Sequence, residues 1–196
     1  MRGMDENEIE HLNRLNRVRS LLDQSPETHI TLVGDVMLDK YVTGEAETLA
    51  TTAPAPALRV VSTNQSPGAS AHIAQSLNGF GTHTIFHSAV GNDLAGQHII
   101  EILQNSGIDT TQILMLDDQS TLVKSRYFAS RRGLLDRRQL LLQTDSGGKQ
   151  PLSDDSYKTI IQSAISDLEG AGALIISDYD NGVISDNVAS TLIRTA

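Results

Sequence analysis

The chain has 196 residues, 39% of them hydrophobic, with 15 glycines, a formal charge of −9 and no cysteine. Such a length and composition predict one globular domain of ordinary size with a proper core, and not a disordered chain. The negative charge argues against nucleic acid or an anionic membrane as partner, and the missing thiols exclude disulfides, thiolate metal sites and cysteine nucleophiles. No apolar run approaches the roughly 18 residues of a membrane span. The first residues, MRGMDENEIEH, are too polar for a secretory signal, so a cytoplasmic protein is expected.

In chain order, residues 5–24 predict a helix. Ile9, Leu12, Leu15, Val18, Leu21 and Leu22 recur at spacings of three and four with charges between them. Packing on a sheet edge is the expected role, with a partner-binding helix as the alternative. Ile30 to Val33 is a short β-branched run that predicts a buried strand. Gly34 and Asp35 end it and Asp39 follows one turn later, which sets carboxylates at the carboxyl end of a first strand. Open α/β sheets bind their ligands at that edge. Residues 41–67 hold three of the five prolines, alternate in places and show no helical period. They predict edge strands or a flap standing off the main sheet.

After Pro67-Gly68, residues Ala71, Ala74 and Leu77 share a helical face, and Gly79 and Gly81 offer stops. A strand over 84–90, a helix capped by Asp93 and ended by Gly107, and a strand over 112–116 form a βαβ unit, hence a parallel sheet. Residues 120–130 and 139–145 read as two further strands off that rhythm. They are joined by RRGLLDRR, a solvated hairpin tip in a chain of this charge. Ser153 caps a helix running to Glu169, whose Tyr157, Ile160, Ile161, Ala164, Ile165 and Leu168 form a core stripe. A strand over 173–177, then Asp178, and a short helix over 186–194 complete the chain.

Asp35, Asp39, Asp93 and Asp178 all follow predicted strands. Carboxylates there suit sugar hydroxyls or a metal ion, and the plainer alternative is that each caps the next helix. The six histidines show no paired ligand spacing, the Ser-Gly-Gly-Lys-Gln stretch at 146–150 reads as a flexible loop, and no G-x-S-x-G elbow appears.

Four motifs, spanning residues 30–184, together resemble the ribokinase-like (phosphofructokinase B type) carbohydrate kinases. These are Gly34-Asp-Val-Met-Leu-Asp39, Pro67-Gly-Ala-Ser-Ala71, Gly91-Asn-Asp-Leu-Ala-Gly96 with Gly107-Ile-Asp109, and Ser177-Asp-Tyr179 with Gly182. Within that family the nearest branch is the heptose 7-phosphate kinase domain of ADP-heptose and lipopolysaccharide precursor synthesis. The resemblance implies an α/β, three-layer ribokinase-like (Rossmann-like) parallel sheet with a small β lid. An N-terminal helix over 1–28 would precede a kinase domain over 29–196, with lid segments at 41–67 and 120–145. It implies ATP and magnesium as cofactors, a sugar phosphate as ligand and a homodimer through the lid sheet. The substrate-binding residues it points to are Asp39, Asp35, Gly68, Ala69, His72, Lys124, Arg126 and Asp178.

The departures are informative too. Ala69 replaces the second hinge glycine and His72 an asparagine that contacts sugar. Thr52 stands where the lid has an acidic residue, and Asn181 where a lysine is common. The family's Asn-x-x-Glu element and its catalytic Gly-Ala-Gly-Asp are expected beyond Ala196. The nucleotide site would then lie outside this chain, which would not catalyse alone and would need a C-terminal half. The alternative is a non-catalytic, truncated or degenerate paralogue that binds a sugar phosphate or a partner subunit.

Overall fold

The computed structural model describes residues 6–23, 28–130 and 138–196. Strand β1 (His29–Gly34) lies inside a parallel four-stranded sheet of order β5-β4-β1-β8, with β4 (Thr84–Gly91), β5 (Ile113–Leu116) and β8 (Ala171–Ser177). A central parallel strand is covered on both faces, so its sequence is apolar without alternation. Leu32 and Val33 show this, each fully buried but in opposite cores.

Leu32 packs with Phe86 and Val90 against Ala71 and Ala74 of α2 (Ser70–Gly79) and Ile99 and Leu103 of α3 (Leu94–Asn105). Val33 packs with Ala89 against Ile160 and Ala164 of α4 (Asp154–Ser166) and Val188 and Leu192 of α5 (Asp186–Thr195). Helices cover both faces, giving three layers.

The segments that broke the βα rhythm form a second sheet of order β3-β2-β6-β7. It contains β2 (Val36–Leu49), β3 (Pro56–Ala69), β6 (Val123–Ser130) and β7 (Gln139–Ser146). The first of these segments is wider than the expected 41–67, because β2 begins one residue after Asp35 and runs directly out of β1. Asp39 therefore sits within a lid strand, paired with Ser66 on one side and Lys124 on the other, and not in a turn after β1. Of the expected RRGLLDRR hairpin tip, residues 131–137 lie outside the described residues.

Helix α1 (Glu6–Asp23) corrects one expectation. Ile9, Leu12, Leu15 and Val18 are each 47% to 54% exposed, so this stripe does not pack on a sheet edge. A strict spacing of three sets each residue back by about 60°, so Ile9 and Val18 fall about half a turn apart. The row Ile9, Leu12, Leu15 and Val18 drifts around the helix and does not keep to one narrow face.

Helix boundaries follow the caps that the sequence offers. Asp93 accepts from the Gly96 amide at 2.8 Å and from the Thr121 amide at 2.9 Å. Burial pushes its carboxyl up, but these amides outweigh it and hold it below the ordinary value. Asp93 is thus a cap. Gly107, at φ 77°, ends α3 in the left-handed conformation. The 146–150 stretch is a packed turn, with Gly147, Gly148 and Lys149 all at positive φ and the Gly148 amide donating to the Ser120 carbonyl at 2.9 Å.

His87 is fully buried in β4, its Nδ1 3.1 Å from Ser163 Oγ and its Nε2 3.2 Å from Asp167 Oδ2 without hydrogen-bond geometry. Burial lowers its pKa, against the opposing pull of Asp167. The unfolded chain therefore takes up the proton first, at a histidine pKa of about 6.5. Stability from this site is complete above that pH and is lost as pH falls below it. Urea midpoints measured at pH 7.5 and 5.5 should show this fall, and His87→Gln should flatten it.

Candidate binding site between lid and sheet edge

Two of the passages between lid and main sheet, from β1 into β2 and from β3 into α2, take their geometry from a small residue. At the first, Gly34 ends β1 so close to its neighbours that a Cβ there would lie on Ser70 Oγ and on the Ser177 carbonyl oxygen. At the second, β3 returns through Gly68 and Ala69 into α2. A Cβ on Gly68 would overlap Asp39 Oδ2, so glycine here lets the Asp39 carboxylate lie across β3.

Ala69 has φ 55° and ψ −130°, a conformation that suits glycine and strains a residue with a Cβ. Such strain costs about 1–3 kcal/mol. Ala69→Gly should recover it, less about 0.5–1 kcal/mol for the extra freedom of glycine when unfolded. We expect a net gain of about 1 kcal/mol, a rise of roughly 2–4 °C in Tm by calorimetry.

Alternation along the lid strands puts Asp39 and Tyr41 of β2, Ser66 of β3 and Arg126 of β6 on one face. Arg126 Nη1 donates to Asp39 Oδ1 at 2.6 Å and to the Tyr41 hydroxyl at 3.3 Å, and its guanidinium carbon lies 5.3 Å from the Tyr41 ring centroid. Phe128 stacks beyond Tyr41, 6.4 Å between centroids. Asp39 Oδ2 accepts no hydrogen bond among the described residues. Asp39 thus has one oxygen fixed by a cation and a second free, as a binder of hydroxyl groups requires.

A hollow of about 230 Å³ opens over this carboxylate, lined by Asp39, Tyr41, Ser66, Pro67, Gly68, Ala69, His72 and Tyr179. A second of about 420 Å³ continues past Tyr41 along the lid face, between Thr43, Asn64, Phe128 and Arg138.

Four of the expected binding residues therefore converge on the hollow: Asp39, Gly68, Ala69 and His72. Arg126 does not line the hollow but bonds the Asp39 carboxylate that does. Lys124 neighbours Asp39 in register but does not line the hollow. Asp178 is exposed and outside it, and its Oδ1 accepts from the Asp180 amide at 2.8 Å in a local turn.

Asp35 is fully buried and its oxygens are occupied by backbone amides, so its expected role as a direct ligand of substrate does not fit this geometry. Tyr41, Ser66, Pro67 and Tyr179 were missed. The first would have followed from reading 36–49 as one strand, since residues 39 and 41 then share a face. Tyr179 adjoins Asp178 in a motif already singled out, but a carboxylate drew the assignment. Among the described residues no group of three or more His, Asp or Glu side chains could hold a metal ion.

Solved structures define the class. A carbohydrate kinase from Agrobacterium tumefaciens superposes with a TM-score of 0.63 at 17% identity, covering 86% of this chain and 50% of that one. An Arabidopsis thaliana ribokinase complexed with ribose and ATP does so with a TM-score of 0.59 at 17% identity, covering 86% and 51%. The chain has the ribokinase-like, PfkB-type carbohydrate kinase fold.

Within that class its sequence relatives are the HldE bifunctional proteins. It is 34% identical to that of Magnetococcus marinus over 175 residues, 87% of this chain and 34% of that protein. It is 30% identical to that of Helicobacter pylori over 167 residues, 85% and 35%. The chain spans about a third of the length of these relatives. No protein-family model matches it.

Proposed function

We propose that this chain forms the sugar-phosphate side of a ribokinase-like sugar kinase that acts on a heptose 7-phosphate. The observation that carries the reading is the Asp39 carboxylate, one oxygen held by Arg126 and the other free, at the floor of a hollow between lid and sheet edge. Fold neighbours solved with ribose and with fructose-6-phosphate support a sugar ligand, and the HldE relatives support a heptose. Asp39 accepts ligand hydroxyls, His72 and Ser66 offer further polar contacts, and the lid excludes water. Basic side chains at Lys124 and Arg138 supply positive charge along the lid face for the phosphate.

ATP, with magnesium, would supply the transferred phosphoryl group. We assign none of its ligands to this chain, whose 196 residues contain no Gly-Ala-Gly-Asp. On this reading the chain binds the sugar phosphate but does not turn it over without a C-terminal half. Titration calorimetry with heptose 7-phosphate should show saturable binding, while a coupled ADP-release assay on the same sample shows no turnover. Turnover would contradict the division of labour, and absence of binding would contradict the site.

A non-catalytic sugar-phosphate binder is the second reading. Ala69, His72, Thr52 and Asn181 favour it, because each departs from the family pattern at a lid or sugar position. A stable 1:1 complex with a co-expressed C-terminal half that restores turnover would decide for the kinase. The two edge strands of the lid sheet carry exposed apolar side chains, Val60 and Val61 on β3 and Leu140 and Leu142 on β7, which would suit edge pairing of two lids in a homodimer. We propose neither nucleic acid nor membrane as partner, and among the described residues no helix is long and apolar enough to cross a membrane.

A further inference from the structure

Asp35 is buried to 0% exposure at the point where the two sheets meet. Its side chain reaches a loop nearly 150 residues away in sequence. Oδ2 accepts from the Tyr179 amide at 2.7 Å and the Asn181 amide at 3.3 Å, and Oδ1 accepts from the Val183 amide at 3.0 Å. Its backbone is tied as well. The Asp35 amide donates to the Ser177 carbonyl at 3.2 Å, and its carbonyl accepts from the Ser70 amide at 3.0 Å. Ser70 Oγ closes the ring by donating to the Ser177 carbonyl at 3.1 Å.

One residue thus ties together three parts of the candidate site. It precedes the first lid strand, it holds the residue after the Ala69 hinge, and it clips the loop that carries Tyr179 into the hollow. A capping or turn-shaping aspartate needs none of the long-range bonds. A buried carboxylate is costly to keep unless its acceptors are filled, and here three amides of a single loop fill them. The adjoining cavity, about 30 Å³, leaves room for water at most, so no ligand reaches the carboxylate from that side.

We infer that Asp35 is a positioning residue that locks the lid hinge and the Tyr179 loop into one arrangement and thereby sets the affinity of the hollow. The locking stands on the geometry alone; the effect on affinity rests on the proposed function. Asp35→Asn keeps the shape but turns an amide donor toward backbone amides. In the ligand-free chain, hydrogen exchange should then quicken about tenfold or more at Tyr179, Asn181 and Val183 and also at Ser70, with Leu32 and Phe86 in the core unchanged. Faster exchange at the loop alone would overturn the coupling to the hinge, and no change anywhere would overturn the whole inference.

Should Asp35→Asn fail to fold, the unmodified chain decides. Amides of Ser70, Tyr179, Asn181 and Val183 should open as one unit with a common denaturant dependence, and separate openings would contradict the lock. For the ligand, heptose 7-phosphate should bind Asp35→Asn at least about tenfold more weakly than the unmodified chain. Equal binding would overturn the effect on affinity. Failure of the unmodified chain to bind, with the common opening intact, would overturn the proposed function and leave the lock standing.

Discussion

Asp39→Ala is expected to weaken the binding of heptose 7-phosphate by a hundredfold or more. The two lone pairs of Oδ2 can accept two ligand hydroxyls, and Oδ1 shares a guanidinium that fixes the carboxylate in place. Hydrogen bonds to a charged group contribute about 1.5–3 kcal/mol each, so two lost hydroxyl contacts correspond to about two to four decades in Kd. The fold should tolerate the change. Arg126 and Asp39 side chains are 25% and 16% exposed, and a pair at such a partly wet position contributes on the order of 1 kcal/mol to stability. Calorimetric titration and a thermal melt on the same variant separate the two effects. A large loss of Tm with little loss of affinity would mean that the pair is structural. Asp39→Asn keeps one acceptor and should fall between the variant and the unmodified chain.

The second large effect is expected at Gly34. A Cβ placed there meets the Ser70 hydroxyl and the Ser177 carbonyl, and the carbonyl belongs to a neighbouring strand that cannot rotate away. Relief requires β1 and β8 to separate at the end where Asp35 bonds the 179–183 loop. Overpacking of this kind costs about 3 kcal/mol, at the upper end for a well-packed site. Gly34→Ala should therefore lower the urea midpoint markedly and should loosen sugar-phosphate binding with it, since the lid leaves the sheet at this point. The control is Gly79→Ala, where a Cβ meets open space. That variant should leave binding unchanged and raise stability slightly, by about 0.5–1 kcal/mol, because alanine has less freedom than glycine when unfolded. A Gly34→Ala variant as stable as the unmodified chain would mean that the strand ends yield more easily than their geometry implies.

The sequence carried the layered architecture well because it rests on local signals. Apolar runs at 30–33 and 84–90, caps at Asp93 and Ser153 and the stop at Gly107 each act within a few residues, and the structure keeps all of them. The lid was legible only as a break in rhythm. Its strands form by pairing β2 with β6 across some 80 residues, and no short window contains that register.

The site divides the same way. Asp39, Gly68 and Ala69 lie in motifs that resemble a known family, so the sequence points to them, and the structure sets all three on one hollow. Tyr41 and Tyr179 enter the hollow through strand alternation and a long-range clip, and those are tertiary facts. Asp35 shows the limit most clearly, because a carboxylate at a strand end looks the same in sequence whether it meets a ligand or three backbone amides. The α1 stripe failed for a different reason. Spacing by threes resembles an amphipathic pattern on paper, yet it rotates around the helix.

Difference hydrogen exchange of the chain with and without saturating heptose 7-phosphate tests the central claim most directly. Slowed exchange should appear in residues 36–41 of the lid, 66–72 around the hinge and 178–183 beneath Tyr179, with α1 and α5 unaffected. Protection elsewhere, or none at all under conditions where the sugar phosphate is bound, would contradict a site at the junction of lid and sheet.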